Sequence, residues 1–212
     1  MGSDVLTTDT EANLMLLRDY LPTNCSTSGL AGLSKQIADT LLGGLPEDTV
    51  IDISSKVTIA GGSTIPFLQK EAGEALIAAI DEKGESPRLV HAIRVLPQQY
   101  AVFYWYTHGK KCGVVLAASP GTSPHERGIA IDIENHGDWI NVLKKHKWFW
   151  RGDADPPHFN YKGGQDPDFG HEGIRAFQTL WNQHNPNDTI AADGSYGPKT
   201  QLKLEASPIE GF

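Results

Sequence analysis

Ser123-Pro124-His125-Glu126-Arg127-Gly128-Ile129-Ala130-Ile131-Asp132-Ile133 is the stretch around which the chain is organised. Its second half alternates, which predicts a strand with Ile129, Ile131 and Ile133 on one face and Ala130 and Asp132 on the other. A carboxylate on the small-residue face of a buried strand is costly unless something pairs with it. His125 lies seven residues earlier, at the loop end of the same segment. The two side chains can share a metal if the chain returns a third ligand.

That ligand is sought in Asp153-Ala154-Asp155-Pro156-Pro157-His158-Phe159-Asn160-Tyr161, where His158 and Asn160 alternate with Phe159 and Tyr161 as in a strand. His125, Asp132 and His158 form a two-histidine, one-carboxylate set. Such a set leaves a fourth zinc position open for water, as catalytic zinc sites do. Asp155 stands three residues before His158, with two prolines between them restricting the backbone. A carboxylate held there can act as general base without being a ligand. The alternatives are an arginine partner for Asp132 and ordinary core or surface positions for the histidines. His108, His136, His146, His171 and His184 carry no functional signal, and Glu126 and Arg127 read as solvated.

The rest of the chain supplies a scaffold. Thr8-Asp9-Thr10-Glu11 has the form of a capping box, predicting a helix from about Asp9 to Tyr20 that Pro22 stops. Leu30, Leu33, Ile37 and Leu41 are spaced for one face of a helix ending at Gly43-Gly44. Residues 46–62 are turn-rich, with short strands. Thr64 is expected to cap a third helix, with Pro66 in its first turn, Leu68, Ala72, Leu76 and Ile80 on one face and Gly84 at its end. A strand follows over 88–93, and Pro97 opens an aromatic-rich helix to about His108. Residues 113–118 read as a short extended piece. A helix is expected from Trp139 to about His146. Tyr104, Trp105, Trp148 and Trp150 fit the core better than a cleft lining. Residues 163–168 resemble a linker. Ile174, Phe177, Leu180 and Trp181 then mark a helix, and Gly197-Pro198 opens a last one.

Composition narrows the function. The net charge of −8 in 212 residues argues against a nucleic-acid partner, which would need a basic stripe. It also gives no attraction to anionic wall polymers. No apolar run is long enough to span a bilayer. The start, Met1-Gly2-Ser3-Asp4, shows neither the basic region nor the apolar run of a secretory signal. Cys25 and Cys112 suit either one disulfide or two buried thiols.

The pattern Ser-x-His-x-x-Gly-x-Ala-x-Asp, met by Ser123, His125, Gly128, Ala130 and Asp132, with Asp155 and His158 as a downstream acid-x-x-His, resembles the M15 family of zinc peptidases. These are the VanY-like D-alanyl-D-alanine carboxypeptidases and related peptidoglycan endopeptidases, which share a fold with lysostaphin-type enzymes and the hedgehog signalling domain. The resemblance spans about residues 54–161. It implies an α+β fold, a small antiparallel sheet flanked by helices, with a short C-terminal helical segment. It implies Zn²⁺ on His125, Asp132 and His158, and Asp155 as the base. Arg94, after a strand, would support the oxyanion. Ser123 is a candidate to hydrogen-bond substrate, with a turn role as its alternative. The carboxypeptidases typically carry Glu at the base position and Trp before the last histidine; Asp155 and Pro157 look more like the L-alanyl-D-glutamate endopeptidases.

Gly173-Ile174-Arg175-Ala176-Phe177-Gln178 and Asp193-Gly194-x-Tyr196-Gly197-Pro198-x-Thr200 resemble a peptidoglycan-binding helical module, though shorter than a full one. The expected parts are a helical segment at 1–45, a zinc peptidase domain at 46–165 and a peptidoglycan-binding-like or merely capping segment at 170–212. The expected activity is hydrolysis of a peptide bond in peptidoglycan stem peptides, D-Ala-D-Ala or L-Ala-D-Glu, in the periplasm or after secretion. A non-catalytic peptide-binding module of the same fold is one alternative. A lytic toxin with the same chemistry, and with an immunity protein as a further partner, is another.

Overall fold

The computed structural model describes residues 14–109, 111–163 and 169–212. Helix α1 is short, Leu17–Tyr20. Of the helix expected from Asp9 to Tyr20, residues 14–16 are not helical, and its expected first turns, to residue 13, lie outside the described residues. Leu16 is extended and bridges Pro208, while Leu17 N–H donates to Ser207 O at 3.0 Å. These contacts with the far end of the chain hold Leu16 out of helical conformation.

The apolar spacing of the second helix is realised in α2, Ala31–Gly44, with Leu33, Ile37 and Leu41 buried. Two short strands follow, β1 (Val50–Asp52) and β2 (Thr58–Ile59). The expected third helix starts later than its spacing suggested. Residues Phe67–Gln69 form β3, which pairs antiparallel with β1, and only Lys70–Lys83 are helical, as α3. Thr64 caps no helix: its hydroxyl donates to Val90 O at 2.6 Å. Gly84 ends α3 with φ +73°, a left-handed conformation that costs glycine little.

Next come β4 (Arg88–His91) and α4 (Leu96–Thr107), the latter with Pro97 in its first turn. Strand β5 is Ala130–Ile133, α5 is Ile140–Lys145, β6 is Trp148–Trp150 and β7 is His158–Tyr161. Residues 114–118 join no strand. Two helices complete the chain, α6 (Phe169–His184) and α7 (Pro198–Glu205). Most of the linker-like stretch, 164–168, lies outside the described residues.

The fold is α+β. Its main sheet has the order β2-β4-β5-β7-β6. All neighbours are antiparallel except the short edge pair β2 and β4, which is parallel. One face of this sheet packs on α3 and α5. There Ile131, Ile133 and Phe159 bury against Leu76, Trp139, Leu143 and Trp148. The alternation of β5 and β7 sends Asp132 and His158 to the opposite face.

A second core joins sequence-distant helices. Leu33, Ile37 and Leu41 of α2 share it with Tyr100 and Trp105 of α4 and with Ile174, Phe177 and Trp181 of α6. Gly32 lies so close to the C-terminal residues that a Cβ there would collide with the Glu210 carbonyl. Trp105 and Trp148 are core residues as expected. A disulfide joins Cys25 to Cys112, with Cα atoms 5.2 Å apart, and so selects one of the two states open to them. No described helix is long and apolar enough to cross a membrane.

Candidate metal centre

Asp132 stands in the middle of the sheet, opposite His91 of β4 on one side and His158 of β7 on the other. Side chains of directly opposed residues share a face, so the register alone lines up His91, Asp132 and His158 in one row. His125 joins them from the loop before β5. Gly128, with φ +68°, turns that loop into the strand, and its carbonyl accepts from Gln69 N–H at 2.9 Å.

Glu126 fixes the loop from beneath. Its carboxylate accepts from Gly121 N–H at 2.8 Å and from Ser123 N–H at 3.1 Å, and only 4% of the residue is exposed. The expectation that Glu126 is solvated is therefore wrong, and Arg127 is half-buried. Two turn residues, Gly121 and Ser123, needed a buried acceptor, a demand that side-chain type alone does not announce. Burial pushes the Glu126 carboxyl up to about 7, against these backbone donors.

The three candidate ligands converge. His125 Nε2 lies 3.1 Å from His158 Nδ1 and 3.3 Å from Asp132 Oδ1, and His158 Nδ1 is 3.1 Å from the same oxygen. The far ring nitrogens identify the tautomers. His125 Nδ1 is 2.9 Å from Ala92 O, an acceptor, so it carries the proton. His158 Nε2 is 2.9 Å from Asn160 Oδ1, which fits the same role. Both inward nitrogens are then bare lone pairs aimed at each other and at a carboxylate oxygen. Three acceptors facing one another repel unless a cation lies between them, so the donor set fits a metal ion. Among the described residues this trio is the group able to hold one. The chemistry of two imidazoles and one carboxylate fits zinc.

Electrostatics agree with that arrangement. Burial pushes His125 down to about 4, keeping its imidazole neutral. Burial opposes the charge on Asp132, yet its carboxyl stays well below the usual range, with His91 Nδ1 hydrogen-bonded to the oxygen turned away from the trio. Arg94 adds to this: its Nη2 donates to Asp132 Oδ2 at 3.2 Å and its Nη1 to Gln99 Oε1 at 3.0 Å. Asp132 thus has both the arginine partner and the metal-facing geometry, one on each oxygen. The Arg94 Nε has no hydrogen-bond partner among the described residues.

These groups line a cleft of about 370 Å³. Arg94, Gln99, Ser123, Asp155 and Arg151 line it with the trio, and residues 113–118 form its opposite wall. Asp155 is half-buried, and burial raises its carboxyl above its usual value against the pull of His158. Trp150 braces its loop, donating from Nε1 to Pro156 O at 2.8 Å. Ser123 Oγ accepts from His125 N–H at 3.3 Å, as a turn residue does, while still lining the cleft. The structure brings together every residue singled out from sequence: His125, Asp132, His158, Asp155, Arg94 and Ser123. Sequence reasoning missed Gln99, Asn160, Glu126 and His91. The alternation of the strand after Asp155 was a signal for Asn160, and Gln99 lies in Gln98-Gln99-Tyr100, a run that resembles one M15 subgroup; nothing comparable marked Glu126 or His91.

Residues 68–150 match the family described as VanY: D-alanyl-D-alanine carboxypeptidase. The M15 resemblance is borne out over that stretch, which includes Arg94, Ser123, His125 and Asp132. Asp155 and His158 lie beyond the matched residues, and it is the structure that brings them to the same cleft. No curated protein matches the chain.

Proposed function

We propose that this chain is a zinc-dependent peptidase of peptidoglycan stem peptides. The match of residues 68–150 to a D-alanyl-D-alanine carboxypeptidase family supports the substrate class. The observation that carries the reading is the convergence of three bare acceptors, His125 Nε2, His158 Nδ1 and Asp132 Oδ1, at the floor of a cleft. These three would hold the zinc. When bound, zinc supplies Lewis-acid polarisation and makes water acidic near neutral pH.

The residues around it have separable tasks. Asp155, its carboxyl raised by burial, takes a proton from the attacking water and passes it to the nitrogen of the scissile amide. The C–N bond breaks as the amine leaves protonated, and no acyl-enzyme forms. Arg94 faces the negative charge that develops on the carbonyl oxygen, its Nη1 held in place by Gln99. Ser123 offers a hydroxyl to the substrate from the cleft wall. The working compartment on this reading is the periplasm or the cell exterior, where the substrate is, and a disulfide suits an oxidising compartment.

A second specificity is favoured by a particular observation. Asp155 and Pro157 depart from the Glu and Trp of the carboxypeptidases and favour cleavage between L-Ala and D-Glu. Mass spectrometry of products from defined muropeptides tests both. Loss of a single D-Ala identifies the carboxypeptidase, and a cut after L-Ala the endopeptidase. Intact muropeptides with zinc-loaded protein would overturn the catalytic reading and leave a binding module.

A further inference from the structure

We infer that His91 is a positioning residue for the metal centre, fixing the carboxylate of Asp132 so that one oxygen alone is presented to the metal. The inference rests on the zinc reading of the site and adds a residue to it. His91 lies directly opposite Asp132 across the β4–β5 ladder, and its Nδ1 is 3.2 Å from Asp132 Oδ2. Arg94 Nη2 reaches the same oxygen at 3.2 Å. The other oxygen, Oδ1, faces His125 and His158. The carboxylate is therefore divided, with one oxygen spent on two protein donors and the other left for the metal.

A carboxylate with a free second oxygen can rotate about its Cβ–Cγ bond or swing to bidentate binding. Two donors converging on Oδ2, one from the end of β4 and one from the segment between β4 and α4, oppose both motions. His91 suits this task because Nδ1–H is directional and its ring is wedged into the row, with 17% of the side chain exposed. It does not line the cleft, so it acts through Asp132 and not on substrate.

The test compares zinc affinity, by competition with a chromophoric chelator, for wild type, His91→Phe and His91→Asn. Phenylalanine keeps the ring and loses the donor; asparagine keeps an amide N–H close to the position of Nδ1. His91→Phe should bind zinc roughly 10- to 100-fold more weakly, the usual cost of removing an outer-shell partner. His91→Asn should retain most of the affinity, and the metal-free melting temperatures of all three should agree. Equal zinc affinity for wild type and His91→Phe overturns the inference, and so does equal weakening by both substitutions. If His91→Phe does not fold, nitrogen NMR of zinc-loaded wild type decides: a protonated Nδ1 with a bare Nε2 supports the inference, and the reverse tautomer overturns it. A wild-type protein that takes up no zinc overturns the metal reading itself, a result distinct from either.

Discussion

Replacing both Cys25 and Cys112 by serine should remove a large share of the stability of the chain. The bond ties the polar loop before α2 to the turn after α4, across 87 residues of sequence. Its main effect is on the unfolded chain, which loses the freedom of a loop of that length. The chain-entropy relation puts the loss at about 15 cal/mol/K, or roughly 4.6 kcal/mol at 25 °C. In a chain of this size 1 kcal/mol moves the midpoint by about 2–4 °C, so the double variant should melt roughly 10–18 °C lower. The assay is thermal unfolding of oxidised wild type and the double variant, with thiol titration of the denatured wild type as control. A shift below about 3 °C would refute the entropic argument. Free thiols in oxidised wild type would refute the pairing itself.

Three shorter expectations concern the site, the second core and alkaline stability. Asp155→Asn should retain bound zinc and lose about 10²- to 10⁴-fold in kcat on a cleavable muropeptide; unchanged turnover would remove Asp155 as the base. Phe177→Ala, at a fully buried position between α2 and α4, should cost about 3–5 kcal/mol in urea unfolding, and a cost under about 1 would show that α6 is only loosely docked. Burial and the bonded Glu205 carboxylate push the Tyr100 hydroxyl above its usual range, and burial does the same for Tyr196. Their protons are held more tightly in the folded chain, so this stability is complete below about pH 10 and lost as pH rises beyond it. Melting temperatures between pH 9 and 11 should fall more gently for Tyr100→Phe, and an unaltered slope would count against the assignment.

The ligand set was legible because strand alternation and loop spacing are local. Ile131 and Asp132 had to face opposite ways, and His158 and Asn160 had to share a face. What escaped depended on neighbours remote in sequence. His91 acquires meaning only from the β4–β5 register. Glu126 reads as an ordinary loop acid until two turn residues, Gly121 and Ser123, present N–H groups to it. The segment 67–69 has helical spacing, yet pairing with β1 makes it a strand, so tertiary contact overrode local preference. The parallel pairing of β2 with β4 was equally invisible, because two residues carry too little pattern.

The second core also sets an order of events during synthesis. The apolar stripe of α2 is complete by Leu41, but its partners in α6 begin only at Ile174. At ribosomal rates of about 5–20 residues per second, that stripe waits roughly 7–27 s for α6, with α4 its partner in the meantime. All the strands that build the metal centre leave the ribosome in the meantime. Final closure comes later still, when Ile209 N–H reaches Met15 O and Phe212 N–H reaches Gln36 Oε1. The nascent chain must therefore carry an apolar stripe that α4 covers only in part until α6 is made, and this interval is when a chaperone or a misfolding partner competes for it.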